Sequence, residues 1–338
     1  MLNIHNIHLL YLNIQSIGCI FEKTTLGGSP LKTVFIDGKA GTTGLRIYER
    51  LSSRQDIALL TLPEEKRKDP AARKEMLNGA DIVFLCLPDD ASREAVSWIT
   101  NPDTVVLDTS TAHRTAPGWV YGFPELSKAQ AAKVQSAKRI AIPGCHASGF
   151  IALVAPLVSA GLLPKDTLLS CYSLTGYSGG GKKMIADYES DDRSPLLDAP
   201  RQYALGQTHK HLKEMQAITG LHAAPVFCPV VGDFYSGMQV TVPLFGAWLA
   251  GSMADVKNVY KALYQGPIVT YQEEPSPDGF LSAGIKSGTD GMTVSVGGNE
   301  DRLLLLASYD NLGKGASGAA LECMNLVLGV EKTLGLEL

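Results

Sequence analysis

The chain predicts an α/β protein: a Rossmann-like, doubly wound parallel domain followed by a second domain. Three observations carry this. Unbroken apolar runs alternate with helical stretches, a glycine-rich turn joins the first run to the first helix, and 338 residues at 45% hydrophobic suffice for two cores.

Residues 1–31 stand outside that pattern. Met1 to Gly28 is rich in Ile, Leu, Asn and His, with no early basic region and no apolar run long enough for a membrane span. It is expected to be an extension, disordered or upstream of the native start. From Lys32 the order is readable. Thr33-Val34-Phe35-Ile36-Asp37 predicts a buried strand, Gly38-Lys39-Ala40-Gly41-Thr42-Thr43-Gly44 a turn, and Leu45 to Leu51 a helix. The G-x-x-G-x-x-G spacing of Gly38, Gly41 and Gly44 lets backbone approach a pyrophosphate at a helix N-terminus, with Ala40, Thr42 and Thr43 filling the turn.

Ile57 to Leu62 predicts the second strand, and no carboxylate stands immediately at its end to grip a ribose 2′-hydroxyl. Lys66-Arg67-Lys68 follows instead, which suits either the 2′-phosphate of NADP, with Arg67 as its ligand, or a solvated loop. Asp81 to Pro88 and Thr104 to Asp108 predict the third and fourth strands, with a helix over Ala91 to Ile99. Pro88 and Ser110 follow the C-terminal ends of strands, where ligands gather in open parallel sheets.

Ile142-Pro143-Gly144-Cys145-His146-Ala147-Ser148-Gly149 runs into the apolar stretch Phe150 to Ala155. If that stretch is a helix, Cys145 lies in its first turn, where free N–H groups and the helix dipole favour a thiolate; the alternative is a buried, inert thiol. Gln239 to Leu244 and Arg302 to Ser308 predict core strands of the second domain.

Composition narrows the function classes. A formal net charge of −4 with one short basic run offers no field for nucleic acid. Cysteines at Cys19, Cys86, Cys145, Cys171, Cys228 and Cys323 form no CxxC pair, which suits reduced thiols in the cytoplasm. His209 and His211 lack further ligands at compact spacing, so no metal site is expected.

Several segments together resemble the N-acetyl-gamma-glutamyl-phosphate reductases, in their shorter form, within the semialdehyde dehydrogenases. They are Gly38 to Gly44, Cys86-Leu87-Pro88-Asp89-Asp90, Asp108 to Arg114, Tyr121-Gly122-Phe123-Pro124-Glu125, Pro143-Gly144-Cys145, Tyr177 to Lys183, His209-Lys210-His211 and Asp310 to Ala320. The resemblance spans roughly residues 32–330. It implies an NADP-binding domain of residues 32–143 plus 311–338, and a catalytic and oligomerisation domain on a mixed sheet over 144–310. It also implies NADPH-dependent reduction of an acyl phosphate through a thioester on Cys145, and a dimer or tetramer.

The resemblance further assigns roles. A histidine of the His209/His211 pair, with His211 favoured, would carry protons, and Glu214 would orient it or face substrate. Arg114 would grip phosphate, Lys183 (or Lys182) an anion near the Gly179-Gly180-Gly181 loop, and Asn311 the nicotinamide amide. His146 is expected to be a wall residue, and His113 and His222 ordinary hydrogen-bonding histidines. Two competing readings are an aspartate-semialdehyde dehydrogenase-like enzyme and a non-catalytic NADP-binding protein in which Cys145 is packing.

Overall fold

The structure, a computed structural model, describes residues 25–26 and 29–338. The expectations for the extension, Cys19 included, fall outside the described residues, apart from an antiparallel pairing of Thr25–Leu26 with Ser29–Pro30.

Six parallel strands form the first sheet: β1 (Lys32–Asp37), β2 (Ile57–Leu60), β3 (Ile82–Leu85), β4 (Val105–Asp108), β5 (Val120–Tyr121) and β6 (Arg139–Ala141), in the order β2-β1-β3-β4-β6-β5. Alternate side chains of β1, β3 and β4 feed two different cores. Val34, Ile36, Phe84 and Leu107 pack with α1 (Thr42–Ser52) and α4 (Lys128–Ser136), while Phe35, Val83, Leu85 and Val106 pack with α2 (Pro70–Gly79) and α3 (Asp89–Trp98). A strand buried on both faces has no polar side, which is why these runs are unbroken in the sequence. The helix after the glycine turn starts at Thr42, before the hydrophobic periodicity begins, because Thr42, Thr43 and Gly44 have no large apolar side chain to show it.

The second sheet is mixed. It comprises β7 (Ser170–Gly176), β8 (Arg201–Gln202), β9 (Val226–Gly232), β10 (Met238–Phe245), β11 (Val269–Tyr271), β12 (Met292–Gly298) and β13 (Arg302–Tyr309), ordered β8-β9-β7-β10-β13-β12-β11. β7 runs parallel to β9 and β11 to β12; the other pairs are antiparallel. α5 (Cys145–Ser159), α7 (His211–Thr219) and α8 (Met253–Leu263) cover one face, and α6 (Gly181–Glu189) packs through Tyr188 in a small cluster with Val231 of β9. α5 is apolar nearly all round, as a helix between a sheet and other helices must be. Gly149 lets it close on the sheet, since a Cβ there would stand 2.7 Å from the Tyr309 hydroxyl.

The last helix, α9 (Gly318–Leu328), returns to the first sheet and buries Ala319, Ala320, Leu321, Cys323 and Met324 in its core. A π-helical turn, Gly313–Ser317, precedes it and crosses between the two sheets. Lys314 in that turn is buried, with Nζ 2.8 Å from both Glu125 carboxylate oxygens and bonded to Glu322. Arg50 of α1 reaches the buried Asp290 at 2.6 Å and adds a second tie between the halves. Among the described residues no helix is long and apolar enough to cross a membrane.

Candidate active site

The glycine turn has the shape a dinucleotide requires. Gly38 has φ +91°, and a Cβ there would lie 2.3 Å from the Cys86 carbonyl oxygen; one on Gly44 would lie 2.5 Å from the Gly38 carbonyl oxygen. Gly41 caps α1 without any side-chain bond to its free N–H groups, and no acidic residue occupies the first turn. Residues Ala40 and Gly41 are exposed. Open N–H groups at the positive end of a helix, reached by bare backbone, fit the pyrophosphate of a nicotinamide dinucleotide. Asp37, ending β1, is held by Arg73. Arg67 is exposed and pairs with Glu64 at 3.0 Å, so at rest it serves its own turn.

Beyond the turn lies a cavity of about 370 Å³ between the two sheets, lined by Thr43, Cys145, His209, His211, Asn311 and Gly315 among others. Cys145 is the first residue of α5, as its local sequence suggests. The expected easy thiolate does not follow. Loss of water around the sulfur pushes the thiol up to about 11, although the Arg114 charge and the His146 backbone N–H both pull it down. Tyr309 donates to the Cys145 carbonyl, and Gly315 leaves room for the Cys145 Cβ, which a side chain there would meet at 3.0 Å.

Arg114 and Glu214 pin the loop before the cysteine. Arg114 is buried; its Nε donates to the Ile142 carbonyl at 2.9 Å, Nη2 to the Thr109 carbonyl at 3.0 Å, and Nη1 to Glu214 at 2.6 Å. Glu214 also accepts from the Tyr121 hydroxyl at 2.7 Å and the Gly144 N–H at 3.1 Å. Two of the anticipated roles of Glu214 therefore need correction. It stands 4.0 Å from His211 Nε2, too far for a hydrogen bond, and it lies behind the cavity wall, because its oxygens are consumed by protein donors.

Three imidazoles gather beside Cys145. The rings of His209 and His211 are 4.6 Å apart, and His146 lies 5.7 Å and 5.6 Å from them. His211 starts α7, and its Nε2 points at Gly144, where a Cβ would meet it at 2.5 Å. Burial lowers His211 well below the usual histidine range, with the Arg114 charge adding to the effect, so its ring is neutral. His209 is lowered in the same direction, by burial and then by Lys210. His209 Nδ1 accepts from the His211 backbone N–H at 3.2 Å.

His146 is a wall residue held at both ring nitrogens. Its Nδ1 is 2.6 Å from Ser173 Oγ and its Nε2 is 2.6 Å from the Tyr203 hydroxyl oxygen. Both ring nitrogens are thus engaged by hydroxyls, and the Tyr203 hydroxyl, at the cavity lining, shares its second hydrogen-bonding direction with the cavity. Burial drives His146 down to about 3 and keeps the ring neutral.

The cavity thus gathers Cys145, His209, His211, Arg114, Thr43 and Asn311. Asn311 is partly committed: its Nδ2 donates to Ser178 and its Oδ1 accepts from Gly237, leaving one N–H. Lys183 is a correction. It is exposed on α6, and Gly179, Gly180 and Met184 form this part of the wall, because residues one apart on a helix diverge. Pro88 caps α3, and Ser110 donates to Asp108, outside the cavity on the strand-end side. His113 bonds Asp108 at 2.6 Å, an ordinary structural role. Sequence reasoning passed over Tyr203, Thr175 and Lys210; only Lys210, between two singled-out histidines, carried a signal that could have flagged it.

Comparison with known proteins agrees with this geometry. Residues 33–134 match the semialdehyde dehydrogenase NAD binding domain and residues 145–311 the semialdehyde dehydrogenase dimerisation domain. The N-acetyl-gamma-glutamyl-phosphate reductase 2 of Nostoc sp. is 45% identical over 90% of this chain and 98% of its own; the N-acetyl-gamma-glutamyl-phosphate reductase of Chelativorans sp. is 48% identical over 87% and 97%. Aspartate semialdehyde dehydrogenase II of Vibrio cholerae shares the fold at a TM-score of 0.69 with 16% identity, covering 89% of this chain and 99% of its own. The NADP-bound enzyme of Candida albicans shares it at 0.59 with 17% identity, over 90% and 99%. The chain belongs to the semialdehyde dehydrogenase family and groups within it with the N-acetyl-gamma-glutamyl-phosphate reductases.

Proposed function

We propose that the protein reduces N-acetyl-gamma-glutamyl phosphate to N-acetylglutamate semialdehyde, releasing phosphate, with NADPH as reductant, in arginine biosynthesis. The observation that carries it is Cys145 at a helix N-terminus, inside a cavity shared by neutral imidazoles and the open glycine turn. On this reading residues 32–143 with 311–338 hold the cofactor, and residues 144–310 hold the nucleophile and the oligomer contact.

The chain's own groups account for the steps. His211, neutral and adjacent to the cysteine loop, accepts the Cys145 proton, with His209 supporting it. The thiolate attacks the acyl carbon, the carbon–oxygen bond to phosphate breaks, and a thioester forms on Cys145. A reduced nicotinamide, when held by the glycine turn and the Asn311 side of the cavity, would supply the hydride that the thioester carbon needs. Tyr203 and the first N–H groups of α5 are the donors available to the carbonyl oxygen as charge develops. The sulfur then leaves as thiolate and the aldehyde departs.

Arg114, beside the sulfur and fixed by Glu214, stabilises the thiolate and offers its remaining N–H groups to the substrate's anionic end. Arg67 is the candidate ligand for a 2′-phosphate once it releases Glu64. Oligomerisation uses the uncovered face of the mixed sheet, where Tyr172, Phe245 and Leu304 are exposed.

The test is phosphate-dependent oxidation of semialdehydes with NADP. N-acetylglutamate semialdehyde should turn over, and Cys145→Ser should abolish turnover while NADPH still binds. Turnover of aspartate semialdehyde alone would overturn the substrate, and activity in the serine variant would overturn the nucleophile.

A further inference from the structure

The π-helical turn Gly313–Ser317 stands between the two helices whose first residues carry the chemistry. It packs against α1, which begins at the glycine turn, and against α5, which begins at Cys145. Gly315 and Ala316 of the turn line the cavity together with Cys145 and Thr43. A Cβ at Gly315 would stand 3.0 Å from the Cys145 Cβ and 3.3 Å from its Cα, so the backbone of the turn rests on the nucleophile's residue. The turn is a spacer. Where it sits decides how far the sulfur lies from a group held at the glycine turn.

A spacer made of Gly, Lys, Gly, Ala and Ser has few side chains to hold it. Asp310 caps its start through the Leu312 and Gly313 N–H groups, and Ser317 bonds back to the Leu312 carbonyl within the same segment. Lys314 is its one long side chain, and it reaches away from the cavity. Its Nζ lies 2.8 Å from both carboxylate oxygens of Glu125, which follows β5, bonds Glu322 of α9, and sits 4.9 Å from the centre of the Phe123 ring. The side chain is 2% exposed, and none of these four residues lines the cavity, so Lys314 is no ligand for substrate. Taking an ammonium out of water is costly, and a methionine would fill this space without that cost. What a methionine would not supply is direction. Charge-assisted bonds to two separate elements fix Nζ at a point, and the turn with it.

We propose that Lys314 is a positioning residue for hydride transfer, anchoring the π-helical turn to Glu125 and Glu322 so that Cys145 and the cofactor site keep a fixed separation. The inference rests on the acyl phosphate reductase reading above. In the oxidative direction the Cys145 thiolate adds to the aldehyde carbon. A hydride then leaves that carbon with both electrons of its bond and reduces the oxidised nicotinamide, while the oxygen's electron pair re-forms the carbonyl as a thioester. Sulfur stays on carbon until phosphate adds and the carbon–sulfur bond breaks, its electron pair returning to the thiolate. A shift of about 1 Å in one reacting partner costs such a step roughly a hundredfold.

The experiment separates positioning from folding. Mixing the protein with NADP and N-acetylglutamate semialdehyde in the absence of phosphate allows one turnover, so NADPH appears as a burst. Its amplitude counts competent sites and its rate constant reads hydride transfer. Lys314→Met should slow the burst about ten- to a hundredfold while the amplitude per folded molecule is kept. A residue needed only for folding would lower the amplitude and leave the rate constant alone. Glu125→Gln leaves the ammonium one carboxylate, which guards the fold, and should slow the burst about three- to tenfold. An unchanged rate constant in either folded variant would overturn the assignment. A second readout needs neither cofactor nor turnover: iodoacetamide should alkylate Cys145 at least about threefold faster in Glu125→Gln than in the wild-type chain, because the loosened turn opens more often. Equal alkylation rates would also overturn it. If the wild-type chain gives no burst while this alkylation difference holds, the substrate reading fails and the anchoring of the turn stands.

Discussion

At Cys145 two physical effects oppose each other. The N-terminus of α5 and the Arg114 charge favour the thiolate, but loss of water dominates and lifts the thiol to about 11. The resting protein therefore keeps a protonated sulfur, and on the mechanism proposed above a neutral imidazole removes the proton when substrate arrives. The sign of the pH effect follows. With a pKa raised above the free-cysteine value of about 8.5, the thiolate fraction is small at neutral pH and climbs about tenfold per pH unit until the raised pKa is approached. Alkylation of Cys145 in the cofactor-free protein should therefore keep rising between pH 9 and 10, where an ordinary thiol levels off. A plateau below pH 8 would show that the helix and Arg114 win instead.

Residue by residue, the sequence was legible where chemistry is local. Cys145 at a helix start and the glycines of the turn are set by neighbours within one or two turns of chain. The relation of Glu214 to His211 was not. Spaced three apart on a helix they suggest a pair, yet Tyr121, Gly144 and Arg114, all distant in sequence, claim both carboxylate oxygens.

Among the elements, the π-helical turn Gly313–Ser317 links catalysis to packing. Gly315 presses on Cys145 while Lys314, one residue earlier, is anchored in a buried cluster with Glu125 and Glu322. One ammonium between two carboxylates leaves a surplus negative charge, and burial, with the Glu125 charge adding to it, raises Glu322 and favours its protonated form. Lys314→Met strands Glu125 without a partner and should cost about 3–5 kcal/mol in chemical denaturation. Glu322→Gln mimics the protonated acid and should change stability by no more than about 1 kcal/mol. A loss from Glu322→Gln as large as that from Lys314→Met would mean that Glu322 is ionised.

The same segment shows why element boundaries escaped the sequence reading. Asp310 to Ala320 is rich in small residues, which give no hydrophobic period. Its π turn exists because Asp310 accepts from the Leu312 and Gly313 N–H groups, and because Asp290 and Thr289 crowd Gly318 and Gly313.

For the whole molecule, the mixed sheet leaves one face uncovered. Tyr172, Thr241 and Leu306 sit side by side in register across β7, β10 and β13, and Tyr172, Phe245 and Leu304 are 53%, 55% and 42% exposed in the protomer. A patch this apolar on a sheet is normally covered by a partner. Tyr172→Lys should leave the protomer folded and weaken self-association about tenfold or more, read as a shift toward monomer in sedimentation. An unchanged sedimentation profile would place the interface elsewhere.

By itself the sequence determined the doubly wound first domain, the glycine-rich turn and a cysteine at a helix start, and it singled out Cys145 and the pair of histidines as candidates, because periodicity, glycine placement and helix-terminus chemistry act over a few residues. Only the tertiary structure decided which groups those residues face. It withdrew Glu214 from His211, turned Lys183 to solvent, raised the Cys145 thiol and brought Ser173, His146 and Tyr203 into one chain. Burial and hydrogen-bond competition depend on atoms that meet only when two sheets and a returning helix close around one cavity.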